Sequence, residues 1–141
     1  MEKEYDFARL ILRLSNQIVK NRDRHVRELD LTTEQADSLQ FFLTHENAVI
    51  MDLKNYLGVT HQTARGIVKR METKGLIQTR KSETDARYQC VVVTEQGKKT
   101  GQILIKNGIQ TGSKLLHGMS ADQQKLFYEL LKSALENVEQ K

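Results

Sequence analysis

Leu53-Lys54-Asn55-Tyr56-Leu57-Gly58-Val59-Thr60 runs without a break into His61-Gln62-Thr63-Ala64-Arg65-Gly66-Ile67-Val68-Lys69-Arg70-Met71-Glu72-Thr73-Lys74-Gly75. The first half reads as the end of a short helix over 49–57, with Leu53 and Leu57 turned inward. Gly58 can take the left-handed conformation that ends a helix. Thr60 is a good N-cap for the helix that follows. In that second helix, 61–74, Ala64, Ile67, Val68 and Met71 recur at helical spacing and mark the buried face. Two short helices joined by a tight glycine turn make a helix-turn-helix. Gly75 then stops the second helix.

Working outward toward the C-terminus, the period changes from helical to about two. Leu76-Ile77-Gln78-Thr79-Arg80 reads as a strand, 82–86 as polar turn material, and the β-branched run Tyr88-Gln89-Cys90-Val91-Val92-Val93 as the returning strand. A hairpin after a helix-turn-helix is a wing. Thr94 caps a further helix over 95–117, where Gly101, Gly108 and Gly112 predict a bent or closely packed course, frayed in its second half. Ser120-Ala121-Asp122-Gln123 reads as a capping box. Phe127, Leu130, Leu131, Ala134, Leu135 and Val138 form the stripe of a last helix.

Toward the N-terminus, Thr32-Thr33-Glu34-Gln35 opens a helix carrying Ala36, Leu39, Phe42 and Leu43, and His45-Glu46-Asn47 ends it. Residues 5–29 carry Phe7, Leu10, Ile11, Leu14, Ile18 and Val26 at steps that mark a long amphipathic helix. The expected class is mainly α (α+β), a winged helix-turn-helix over 31–94 flanked by helices over 1–30 and 95–141. A small wing domain cannot cover all three flanking apolar stripes. Packing against a second copy, as a homodimer, is the simplest solution, with a monomer carrying a helical cap as the alternative.

The chain has 141 residues and a net charge of +4. Residues 60–90 hold seven basic groups against three acidic ones, so the entire surplus lies there; the other 110 residues balance fifteen against fifteen. A focused basic patch is the footprint expected for a polyanion. The longest apolar runs are far short of the ~20 residues of a membrane span. No signal-like stretch follows Met1, and the single Cys90 cannot build an intrachain disulfide, so a cytoplasmic setting is expected. Cys90 lies among valines and reads as an inert thiol. The four histidines, 25, 45, 61 and 117, show no metal spacing, and no Gly-rich phosphate loop or nucleophile–base arrangement points to an enzyme or a cofactor.

From Val49 to Lys98 the sequence resembles the MarR family of transcription regulators. The residues that carry the likeness are Leu53, Tyr56-Leu57-Gly58-Val59-Thr60, then Val68 through Ile77, Asp85-Ala86-Arg87 in the wing, and Val93-Thr94-Glu95-Gln96-Gly97 after it. Thr32-Thr33-Glu34-Gln35 resembles the family's second-helix start. Two positions depart from the pattern: Thr79 stands where the family commonly has Arg, and Lys54 where helix-turn-helix units often have Ala. The resemblance implies a homodimeric repressor or activator on double-stranded DNA, with the first and last helices forming the dimer lobe. It also implies a small-molecule effector, of unknown identity, that changes the spacing of the DNA-binding lobes. Phe7, Leu10 and Phe42 are apolar candidates for its walls.

Within that reading the second helix offers Gln62, Arg65 and Lys69 opposite its buried face, flanked by His61 and Thr63. Arg65 is the best base reader because its fork can meet guanine bidentately, and Gln62 can pair with adenine. Gly66 lets the backbone approach DNA closely. Lys69 and Arg70 are expected to touch phosphates or pair with acids, and Thr60 to cap first and contact phosphate second. In the wing, Arg87 can enter the minor groove, oriented by Asp85, while Arg80 and Lys81 hold phosphates. The rival readings are a redox-responsive regulator through Cys90, a metal-responsive one through His45, Glu46 and His117, and a winged-helix protein-interaction module.

Overall fold

The computed structural model describes residues 2–140. Its elements run α1 (Lys3–Glu28), α2 (Thr33–Thr44), α3 (Ile50–Leu57), α4 (His61–Thr73), β1 (Ile77–Lys81), β2 (Gln89–Val93), α5 (Glu95–Leu115) and α6 (Ala121–Glu139). This is the winged helix-turn-helix read from the sequence. Among the described residues, no helix is long and apolar enough to cross a membrane.

The local signals act as their chemistry requires. The Thr32 hydroxyl accepts the Gln35 N–H at 3.1 Å, and the Gln35 side chain accepts the Thr32 N–H at 3.3 Å, closing a capping box on α2. Gly58 ends α3 at φ +67°, in the left-handed region, and its N–H donates to the Lys54 carbonyl at 2.9 Å. The Val59 N–H donates to the same carbonyl at 3.3 Å, so the turn between α3 and α4 closes on the backbone of residue 54. The Thr60 hydroxyl then accepts the Thr63 N–H at 3.1 Å and starts α4.

The hairpin pairs antiparallel with Ile77 opposite Val93 and Lys81 opposite Gln89. Its inner strand is extended by one bridge between Val49 and Cys90, and the Val91 N–H donates to the Ala48 carbonyl at 2.8 Å. The wing is thereby stitched to the chain just ahead of α3. One core underlies these elements: Val26, Leu39, Phe42, Leu53, Ile67, Met71, Ile77 and Val91 are all buried in it. Each such side chain contributes about 1.5–3 kcal/mol of burial. Phe42 therefore serves the core. Cys90 is half-buried, not enclosed.

The contacts divide the chain within α5 into two compact units, one ending at Gly108 and the other beginning at Ile109. In the first unit, α5 sits close on its neighbours at two glycines. A Cβ at Gly97 would stand 2.1 Å from the Leu76 carbonyl oxygen, and one at Gly101 would stand 2.3 Å from Leu43 Cδ1. The close packing expected of α5 is real there. The fraying expected of its second half is absent, because the helix continues unbroken to Leu115. In the second unit, Ser120 and Gln123 close a capping box on α6.

The flanking helices bury little. Val26 is the only buried residue of α1, and α6 has none. Phe7, Leu10 and Ile11 on α1, and Leu126, Leu130, Leu131 and Leu135 on α6, are all exposed. The stripe read as inward-facing on α6 is left largely uncovered. Helices in proteins are held mainly by packing an amphipathic face, so these faces are incomplete as they stand.

Candidate nucleic-acid interface

The buried row of α4 is Ala64, Ile67, Val68 and Met71, as the spacing predicts. That fixes the opposite face, and His61, Gln62, Thr63, Arg65, Lys69 and Arg70 are all exposed on or beside it. Thr60 and Thr63 are occupied with each other: besides the cap, the Thr60 hydroxyl donates to Thr63 Oγ1 at 2.9 Å. Arg65, Lys69 and Arg70 have no ion-pair partner among the described residues.

The wing is built differently, because its arginine is held. Arg87 Nε donates to Asp85 Oδ1 at 3.0 Å and Arg87 Nη2 to Oδ2 at 2.8 Å. The Arg87 backbone N–H donates to the same Oδ1 at 3.1 Å. These bonds hold the Asp85 carboxyl below its ordinary pKa, the side-chain pairing with Arg87 being the largest cause, and raise that of Arg87. The guanidinium also lies 5.9 Å from the centre of the Tyr88 ring. The turn itself closes through the Ser82 N–H on the Tyr88 carbonyl at 3.0 Å and the Tyr88 N–H on the Asp85 carbonyl at 3.1 Å.

Helix and wing meet across a cleft of about 370 Å³, lined by His61 and Arg65 from α4 and by Lys81, Arg87 and Tyr88 from the hairpin, with Met51 of α3 at its side. Four groups singled out separately in the sequence, His61, Arg65, Lys81 and Arg87, thus share one concavity. Arg80, on the outer strand opposite Cys90, is exposed but does not line it.

One structural tie had no sequence signal. Glu72, near the end of α4, accepts both the Thr79 N–H at 3.0 Å and the Thr79 hydroxyl at 2.9 Å through Oε2. Thr79 is the position that departs from the family's Arg. Here it anchors the first strand of the wing to α4. Lys74 makes a second tie: its ammonium donates to the Asp30 carbonyl and, at 3.0 Å, to Gln35 Oε1. A lysine one residue past a helix end gives no hint in sequence of a partner 44 positions away.

A basic, outward-facing second helix joined across a cleft to an arginine-tipped hairpin defines a winged helix-turn-helix protein. The comparisons with known proteins agree. The model of the MarR family matches residues 29–87, which take in α2 through the wing tip. The HTH-type transcriptional regulator YfiV of Bacillus subtilis (strain 168), itself uncharacterized, is 27% identical over 113 residues, 78% of this chain and 71% of the relative. YybA, of the same organism and description, is 28% identical over 80% of this chain and 75% of its own.

Among solved structures, a mutant of MepR from S. aureus superposes with a TM-score of 0.82 at 20% identity, over 99% of this chain and 100% of the other. The S. aureus MepR–DNA complex superposes with a TM-score of 0.74 at 18% identity, over 98% and 100%. At these identities the likeness establishes the fold. The DNA in the second structure is bound by MepR.

Proposed function

We propose that this protein is a sequence-specific DNA-binding transcriptional regulator of MarR type, acting as a cytoplasmic homodimeric repressor on a pseudo-palindromic operator. The observation that carries the reading is the shared cleft of His61, Arg65, Lys81 and Arg87 beside an exposed, uncompensated α4 face. In helix-turn-helix docking the N-terminal part of the second helix meets base edges in the major groove. Arg65 and Gln62 stand there as readers. Lys69, Arg80 and Lys81 hold phosphates, which fix register without reading sequence. Arg87, presented by Asp85, enters the minor groove.

The uncovered faces of α1 and α6 support the homodimer, with 1–30 and 95–141 as its lobe and 31–94 as the DNA-binding lobe. One subunit on each half-site places half-site centres about 10 bp apart. Two copies set two +4 segments against one duplex. Release by a small effector requires that the effector bind one spacing of the two recognition helices more tightly than the other. Selection of duplexes from a randomised pool by the purified protein, followed by sequencing, tests the reading. A two-fold motif with that spacing is expected, and a pool that stays random overturns it.

A further inference from the structure

Position 66 lies at the centre of the outward face of α4. With Ala64, Ile67, Val68 and Met71 buried, the helical period puts Gln62, Gly66, Lys69 and Thr73 furthest from the core. Glycine is the poorest residue after proline for an exposed helix interior. Its presence there has a geometric consequence. Side chains on a helix lean toward its N-terminus, so a long residue covers the surface of the turn before its own. Arg70, one turn on from Gly66, therefore covers position 66.

The structure shows this directly. A Cβ at Gly66 would stand 3.8 Å from both Arg70 Nη1 and Nη2, and 4.0 Å from Cζ. The guanidinium of Arg70 lies over the bare backbone of residue 66, drawn a turn closer to the end of α4 that carries Gln62 and Arg65. Unlike Arg87, which Asp85 engages through three side-chain bonds, the Arg70 fork has no hydrogen bond or ion pair with any described residue. A guanidinium laid along the reading face with all its donors unspent suits a partner outside the chain.

We propose that Arg70 is a specificity-determining residue that reads a guanine edge, and that Gly66 is the opening that admits it. The proposal rests on the DNA-binding reading above and replaces the phosphate contact expected for Arg70 from sequence. Guanine offers O6 and N7 as adjacent acceptors in the major groove, which a planar fork can meet bidentately and a lysine ammonium cannot.

The test compares sequence preferences, obtained from a randomised duplex pool, for the wild-type protein, Arg70→Ala, Arg70→Lys and Lys69→Ala. Arg70→Ala is expected to flatten the preference at one G·C pair in each half-site. On the wild-type operator it should cost roughly 5- to 150-fold in affinity, with little loss on a duplex already changed at that pair. Arg70→Lys keeps the charge and should lose the same preference, whereas Lys69→Ala should weaken all duplexes alike. Thermal unfolding checks that the variants are folded, and the charge-conserving Arg70→Lys carries the test if Arg70→Ala is not. A uniform loss in Arg70→Ala with the salt dependence shallower by about one unit would mark a phosphate contact and overturn the proposal, as would full preference in Arg70→Lys. If the wild-type protein itself enriches no sequence, the DNA-binding reading fails, which is a separate result.

Discussion

Arg87 and Asp85 form a closed pair at the tip of the wing, two guanidinium nitrogens on two carboxylate oxygens at 3.0 and 2.8 Å, with the Arg87 backbone N–H on the same carboxylate. The arginine side chain is nonetheless 83% exposed. An exposed pair of this kind adds little as a surface ion pair; what it does is fix the direction of the guanidinium.

That arrangement sets a pH expectation. The Arg87 bonds favour the charged carboxylate, so the pKa of Asp85 in the folded wing lies below its value in an unfolded chain. A depressed carboxyl contributes above the unfolded value and loses its contribution as pH falls through the folded one. The wing pair should therefore stay intact throughout the neutral range and break only in acid, below the ordinary carboxylate range. An NMR titration of the Asp85 carboxyl carbon reads this. A midpoint at or above the ordinary Asp value would show that the pair does not hold in solution.

The two arginines of the cleft should fail differently. Arg65→Ala is expected to relax preference at one base pair, at a cost of about 1–3 kcal/mol on the matched operator. Arg87→Ala is expected to weaken all duplexes more than it changes preference, because the minor groove carries a degenerate pattern. Binding titrations on matched and singly altered operators separate them. An Arg65→Ala protein with unaltered affinity and preference contradicts its reading role.

At Gly97 the chain permits no side chain. A Cβ there would stand 2.1 Å from the Leu76 carbonyl oxygen and 2.6 Å from Val93 Cγ1. Gly97→Ala should destabilise the protein by about 1–3 kcal/mol through overpacking, against a helix-propensity gain of at most about 1 kcal/mol. Denaturant unfolding measures the net loss. An unchanged midpoint would mean that α5 sits further from the wing than the structure has it.

The exposed faces of α1 and α6 lead to an assembly prediction. Leu131→Glu on α6, or Ile11→Glu on α1, places a charge in the uncovered stripe and should shift a dimer toward monomer in sedimentation equilibrium. A dimer of unaltered affinity in both variants would place the interface elsewhere.

What could be read in the sequence was what leaves a local or periodic trace. Thr60, Gly58, Thr32 and Ser120 cap or terminate helices because their own chemistry does so, whatever surrounds them. The face of α4 followed from four apolar residues at helical spacing. The Asp85–Arg87 pair was legible because the partners are two residues apart. The tie of Glu72 to Thr79 and the tie of Lys74 to Asp30 and Gln35 were not, since each depends on where the fold brings a polar group. Apolar stripes on α1 and α6 were visible as stripes. Their excess over what one small wing domain can cover was legible too, and the structure leaves both faces exposed. Arg70 was assigned by residue type, and the placement of its guanidinium over the bare backbone at Gly66, on which the base-reading proposal rests, left no trace in the sequence.

Sequence-selective binding of duplex DNA through a basic α4 and wing is tested most directly by the salt dependence of affinity. Titrating the protein against its selected duplex and a scrambled one over a range of salt should give log K falling steeply with log salt on both, because phosphate neutralisation releases counterions. The selected duplex should bind tighter by a factor on the order of 10³ or more at physiological salt. A flat salt dependence, or equal affinity for the two duplexes, would contradict DNA reading by this helix and wing.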